Sequence, residues 1–138
     1  MAGSFSDYWE LKVLDATFGD PDVTITAPTY LALCTTEPTD SSTGSTIVEA
    51  NYTGYARKAV AAADMSAASG TNPAQKTNSG AITFDACTAG SSVIVGWALC
   101  DASSAGNVLC WGSATSTTIS TTQTPATVGV GGLVVTLD

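Results

Sequence analysis

The chain contains no histidine and only four basic residues among its 138. Without histidine, neither a Ser-His-Asp nor a Cys-His catalytic arrangement can be built. The four basic residues do not form one cluster along the sequence; they are Lys12, Arg57, Lys58 and Lys76. Phosphate binding requires clustered lysine and arginine. We therefore expect no direct binding to nucleic acid. We interpret the net charge of −8 as a solvated acidic surface that aids solubility.

Long apolar runs are also missing. No stretch of the sequence reaches the roughly 18 consecutive apolar residues of a membrane-spanning helix, so we expect no membrane partner. The first residues, MAGSFSDYWELK, lack the basic and apolar pattern of a secretory signal. We therefore expect synthesis and folding in a cytosol, where thiols stay reduced.

Cysteine is limited to four residues, none of them in a Cys-x-x-Cys pair. Because histidine partners are absent as well, the sequence predicts no metal site. Inspection alone leaves a glycosidase-type carboxylate pair open, since nothing selects two of the 12 acidic residues. We expect a protein that is not an enzyme, with no catalytic residues and no cofactor.

Serine and threonine are abundant, 37 residues together, and are accompanied by 13 glycines. This composition favours strands and turns over helix. It predicts one all-β domain, a single antiparallel β-sandwich or barrel-like fold with a short N-terminal helix or arm at 1–22 and the β-sandwich at 23–138. Residues 59–69 are ambiguous and are interpreted as an extended edge or loop. Strands are predicted from Val23 onward, most clearly at 29–36, 51–60, 79–86, 91–101, 107–114, 117–122 and 133–138.

One helix is predicted, over residues 6–18. Tyr8, Leu11, Leu14 and Phe18 recur at helical spacing and form one apolar face. Ser6 is suited to cap the helix start, and a glycine at position 19 favours its end. A helix of this length is marginal in water by itself, so we expect the apolar face to dock on a partner.

The stretch GWALCDASSAGNVLCWGSA at 96–114 predicts a β-hairpin. A turn centred near Ser104 places Trp97 opposite Trp111, and Leu99 opposite Leu109, on one face. The same register sets Cys100 against Val108 and Ala98 against Cys110 on the other face. Cys100 and Cys110 would then lie diagonally, about 7–8 Å apart, so a disulfide between them is open but not favoured. We interpret these cysteines as packing residues.

The order and spacing of several segments resemble a family of small tailed-bacteriophage virion proteins, described as capsid decoration, minor structural or tail-fibre proteins. The segments are LKVLDATFG (11–19), PTYLALCTTEPT (28–39), YTGYARKAV (52–60), NSGAITF (78–84), VGWALCDA (95–102), GNVLCWG (106–112) and LVVTLD (133–138). The resemblance covers nearly the whole chain. It implies an all-β domain that is assembled on a virion, after synthesis in the host bacterial cytoplasm, and that carries no catalytic residues.

From this resemblance we expect a capsid decoration, or cement, protein that binds and stabilises the shell. Its partners would be the major capsid protein and copies of itself, with a trimer favoured because a three-fold capsid site accepts one. The alternative is a tail-tip or tail-fibre protein that contacts the host surface. The predicted interface residues are Phe5, Tyr8, Trp9, Leu11, Glu37 and Asp40. Trp9 has an equally good interpretation as an ordinary helix–sheet packing residue.

Overall fold

The computed structural model describes residues 2–19, 28–71, 73–123 and 125–137. Its strands are β1 (Ala2–Phe5), β2 (Thr29–Cys34), β3 (Lys58–Val60), β4 (Ala74–Thr77), β5 (Ile82–Thr83), β6 (Ser91–Cys100), β7 (Val108–Ser120), β8 (Thr127–Val128) and β9 (Val134–Leu137). One α-helix, α1 (Asp7–Thr17), and a 3₁₀ turn at Ala62–Asp64 complete the regular elements of these residues. The predicted all-β class with an N-terminal helix is confirmed. The start of the strand region at Val23 and the predicted domain boundary at residue 22 lie outside the described residues.

Within the described chain, seven strands form one sheet in the order β3-β2-β6-β7-β1-β9-β4, and β5 pairs with β8 in a separate ribbon. Strands β3 and β4 are the two ends of the sheet and do not pair with each other, so the sheet does not close into a barrel. Its pairs are antiparallel except that β1 runs parallel to β9, with Ala2 opposite Val134. This one parallel pair, on the side of β1 that faces away from β7, departs from the predicted antiparallel pairing.

Alternating side chains give the large sheet two different faces. The first face and the β5–β8 ribbon share the main core, which contains the fully buried Trp97 and the nearly fully buried Phe84. The opposite face carries smaller residues in a second cluster, as expected where a strand is buried on both sides. The main core includes Leu31, Leu33, Tyr52, Val60, Ile82, Ile94, Leu99, Cys110, Ile119 and Leu133, and the second cluster consists of Ala32, Cys34, Ala98, Cys100 and Val108.

The β6–β7 hairpin forms where it is predicted, but its register was wrong beyond the first pair. Cys100 faces Val108 as predicted, whereas Leu99 pairs with Cys110, Ala98 with Trp111 and Trp97 with Gly112. The cause is a β-bulge at Leu109, which adds one residue to β7 and moves the following side chains to the opposite faces.

The bulge determines whether the two cysteines of the hairpin can form a disulfide. Cys100 belongs to the second cluster and Cys110 to the main core, so their side chains lie on opposite faces of the sheet. The four cysteines Cys34, Cys87, Cys100 and Cys110 are all buried and unpaired. Their interpretation as packing residues agrees with this placement.

Helix α1 begins directly after β1, and Ser6 makes the connection. The Ser6 side chain is fully buried; its hydroxyl donates to the carbonyl oxygen of Val108 and accepts a hydrogen bond from the backbone N–H of Trp9. Ser6 N also donates to the Leu109 carbonyl at 3.0 Å. The predicted N-cap residue therefore caps the helix and anchors its start to β7.

The loop of the hairpin generates a first prediction. Gly106 has φ +73°, and a Cβ there would lie 2.4 Å from Asp101 Oδ1 and 2.7 Å from Ala102 Cβ. We expect Gly106→Ala to lower the free energy of unfolding by about 1–3 kcal/mol. Ala105, the preceding residue, has φ +50°. Because alanine costs about 1 kcal/mol in this region and glycine does not, Ala105→Gly should be neutral or stabilising.

Urea denaturation of the wild type and the two variants measures both changes. Equal losses in both variants would contradict the assigned backbone conformation.

Candidate functional site

Four of the six predicted interface residues lie together at the start of the chain. Phe5 ends β1, and its ring meets the Trp9 ring edge to face at a centroid distance of 6.4 Å. Phe5 and Trp9 are both half-buried, so the packing interpretation of Trp9 has a physical basis. Tyr8 is 37% exposed and Leu11 is 64% exposed.

Asp40 joins the same surface, although it is distant in sequence. Its carbonyl oxygen accepts from the backbone N–H of Asp7 at 3.1 Å, and its carboxylate accepts from the Trp111 indole N–H at 3.1 Å. Glu37 is exposed at the start of the same loop, beside Gly96 of β6. The structure therefore brings Asp40 to the helix start, while no hydrogen bond among the described residues ties Glu37 to the helix.

Helix α1 turns a different side toward the domain than its apolar pattern suggests. Its half-buried residues are Trp9, Lys12 and Val13, which share one side at 100° per residue. Leu11, Leu14 and Phe18 project from the opposite side and are 64%, 55% and 85% exposed. We call these three residues the outer stripe. The predicted docking of this apolar face does not occur on the described part of its own chain.

An apolar groove of about 440 Å³ lies next to the helix start. Phe5 and Trp9 line one end, and Val60 and Met65 contribute from the segment that includes β3 and the 3₁₀ turn. Lys76 of β4 is the only charged residue in its lining. The groove formed by these described residues is thus an apolar hollow on the side of the sheet that carries the main core, in an acidic protein.

The most extensive polar arrangement in the described chain surrounds Arg57, which is 9% exposed. Its Nε and Nη2 atoms donate to the Glu49 carboxylate, at 2.7 Å for the shortest contact. Nη1 donates to the carbonyl oxygens of Ala102 and Ala105 at 2.8 and 2.9 Å, and Nη2 also donates to the Gly44 carbonyl at 2.8 Å. All five N–H donors of the guanidinium are therefore used.

Tyr55 extends this arrangement into the sheet. Its hydroxyl donates to Glu49 Oε2 at 2.7 Å and accepts from the backbone N–H of Leu33 at 3.1 Å. Burial, reinforced by the Glu49 carboxylate, raises the pKa of Tyr55 well above its ordinary value. Burial alone would lower the pKa of Arg57, but its contacts with Glu49 outweigh burial and raise it. We call Arg57, Glu49 and Tyr55 the buried clamp.

The buried clamp positions the loops on which the predicted surface depends. It fixes the 35–46 loop at Gly44, the hairpin loop at Ala102 and Ala105, and β2 at Leu33. Sequence reasoning placed Arg57 in the segment YTGYARKAV but assigned it no role. The signal that could have indicated its role is the presence of an arginine close to two tyrosines in a chain with few cations. Its hydrogen-bond partners could not be predicted, because they lie in loops that are distant in sequence.

The cysteine thiols are buried and contribute to packing. Burial raises the pKa of the Cys34 and Cys110 thiols to about 12 and that of Cys100 to about 11, so these thiols are poor nucleophiles at neutral pH. In the part of the chain that the structure describes, no group of three or more cysteine or acidic residues is arranged to hold a metal ion.

Residues 4–136 match the family described as podophage GP4 fiber I protein gp80. The chain belongs to this family. No curated protein matches it. The resemblance to phage virion proteins that the segments suggested is thereby confirmed, over nearly the full length.

Membership of the gp80 family gives the protein a structural role in a phage virion and a location there. The description names a fibre protein, which agrees better with the predicted alternative than with capsid decoration. Among the described residues of this gp80-family chain, no helix is both long and apolar enough to cross a bilayer.

The buried clamp of this gp80-family protein yields a second prediction. Arg57→Ala leaves three carbonyl oxygens without their donor and leaves the Glu49 carboxylate, uncompensated, with only the Tyr55 hydroxyl, so we expect a loss of about 3–5 kcal/mol in the free energy of unfolding. Arg57→Lys, which keeps the charge but has fewer donors, should lose less. The matched control is Lys58→Ala, since Lys58 pairs with Asp85 at 2.9 Å on the exposed surface and should cost less than about 1 kcal/mol.

Urea denaturation of the three variants provides the measurement. A loss in Arg57→Ala no larger than that in Lys58→Ala would show that the clamp contributes little.

The buried thiols yield a third prediction, for alkaline pH. Because folding raises the pKa of Cys34, Cys100 and Cys110 above 9.0, the folded state holds protons that the unfolded state releases. The contribution of these three thiols to the free energy of unfolding is complete below pH 9 and is lost as the pH rises from about 9 toward 12. Each thiol makes the free energy of unfolding fall by up to about 1.4 kcal/mol more per pH unit.

Denaturation curves across this pH range should show a shallower decline for Cys110→Ala than for the wild type. The cavity created by this substitution lowers stability to the same extent at every pH, so the slope isolates the titration. Identical slopes would contradict the assignment.

Proposed function

We propose that this chain is a subunit of a phage fibre at the tail or tail tip, that it contacts the host surface, and that it catalyses no reaction. The observation that carries the proposal is the match of residues 4–136 to a fibre protein family. The exposed, hydroxyl-rich loop at 39–46 supplies donors and acceptors for a host glycan or protein.

The internal arrangement of the chain supports a purely structural subunit. The arginine that could bind an anion has every donor occupied within the fold, and Cys34, Cys87, Cys100 and Cys110 are buried. In the buried clamp, ionised groups therefore serve to hold loops. Assays against polysaccharide and peptidoglycan substrates should show no turnover, and turnover that is abolished by substitution of an acidic residue would overturn this part of the proposal.

Capsid decoration is the second candidate, with the major capsid protein as the partner. The surface available to that partner is the exposed loop that carries Glu37 and Asp40, two of the predicted interface residues. Assembly of copies into a trimer belongs to either proposal, because closed rings are a common way for such modules to associate. Neither proposal includes direct contact with nucleic acid or with a membrane.

Location and copy number on the virion form the fourth prediction. Immunogold labelling of intact particles should place the protein on fibres, and quantitative mass spectrometry should count few copies relative to the major capsid protein. Labelling over the whole head, with a copy number close to that of the capsid protein, would instead support decoration. In that case the purified chain should bind undecorated capsids and raise their disruption temperature.

A further inference from the structure

We propose that the outer stripe of α1 in one copy inserts into the apolar groove of a second copy of this chain. The stripe and the groove are both present on every molecule, so each copy can donate a helix and accept one. This contact goes beyond the fibre proposal and does not depend on it, because two copies can meet in this way at either location on the virion.

The first support is the exposure of the stripe. Leu11, Leu14 and Phe18 are spaced by three and four residues, so they form one continuous ridge on α1. They are more than half exposed, on the side of the 11-residue helix opposite its half-buried residues. No described residue of the same chain covers this apolar ridge, and a contiguous exposed apolar surface marks a contact site.

The second support is the size and the lining of the groove. A cavity of about 150 Å³ lined by apolar side chains is enough to hold one benzene ring, and the groove measures about 440 Å³. It can accept two or three side chains of the ridge. Phe5, Val60, Met65 and Val135 supply apolar walls.

The third support is charge complementarity. Asp7, Glu10 and Asp15 flank the outer stripe at helical spacing, whereas Lys12, the only cation of α1, lies on the half-buried opposite side. Among the described residues that line the groove none is acidic and one is a cation, Lys76, which forms no ion pair with any described residue. An acidic helix face therefore meets a groove with a single positive charge, in a chain that carries only four cations.

The fixed helix start excludes a chain's own stripe from its own groove, so a stripe in the groove must come from a second copy. Ser6 holds the first turn of α1 against β7, and Trp9 and Val13 lie on the side that faces the domain. The outer stripe points the opposite way. A chain could fill its own groove with the stripe only by turning the helix through about half a revolution and breaking the Ser6 contacts.

The test uses the full chain in sedimentation velocity over a wide range of concentrations. We expect the wild type to self-associate, and we expect Leu11→Gln/Leu14→Gln to raise the dissociation constant about a hundredfold, since two buried leucines are lost. Both leucines are solvent-exposed in the single chain, so the variant should keep the wild-type circular dichroism spectrum. The control is Val130→Gln, an equally exposed apolar residue in the 129–132 turn, outside the groove lining.

Charge reversal and crosslinking identify the groove as the partner surface. Lys76→Glu should weaken association, and adding Glu10→Lys and Asp15→Lys to that variant should restore it. In a mixture of isotopically light and heavy copies, a carbodiimide should link Lys76 of one copy to an acidic residue of α1 in another. A wild type that stays monomeric, association that survives Leu11→Gln/Leu14→Gln, or crosslinks confined to single copies would each overturn the proposal.

Discussion

The ion pair between Arg57 and Glu49 is the interaction on which the arrangement of the loops depends. A guanidinium in this position is costly to remove from water, and the cost is offset only because each of its five donors reaches an acceptor. Three donors reach carbonyl oxygens of the 35–46 and 102–106 loops, and the other two reach the Glu49 carboxylate. Two irregular segments are thereby held in fixed positions without a disulfide or a metal ion.

This constraint connects the interior of the domain to its proposed working surface. The 35–46 loop is fixed by Arg57 at Gly44 and by hydrogen bonds at Asp40, and Asp40 in turn contacts the first residue of α1 and the indole of Trp111. The helix start is held from its other side by Ser6 on β7. The outer stripe is thus presented in a defined direction, which is the property that a repeated contact between identical copies requires.

Local signals were sufficient for much of the fold. Ser6 predicted the helix start, because capping depends only on neighbouring residues, and the strand predicted at 29–36 is present as β2. The register of the hairpin was missed because the bulge at Leu109 adds one residue to β7, which a strict alternation of side chains does not include. The buried clamp and the groove were missed for a related reason: their residues are contributed by segments far apart in sequence.

The position of β1 has a consequence for how the protein is made. In the described sheet, β9 and β4 are joined to the other strands only through β1, which is hydrogen-bonded to β7 on one side and to β9 on the other. Strand β1 must therefore wait until β9 has emerged from the ribosome before the sheet is complete. During translation the β7-facing edge can pair first, while the other edge of β1 stays open and prone to mispairing until β9 has been made.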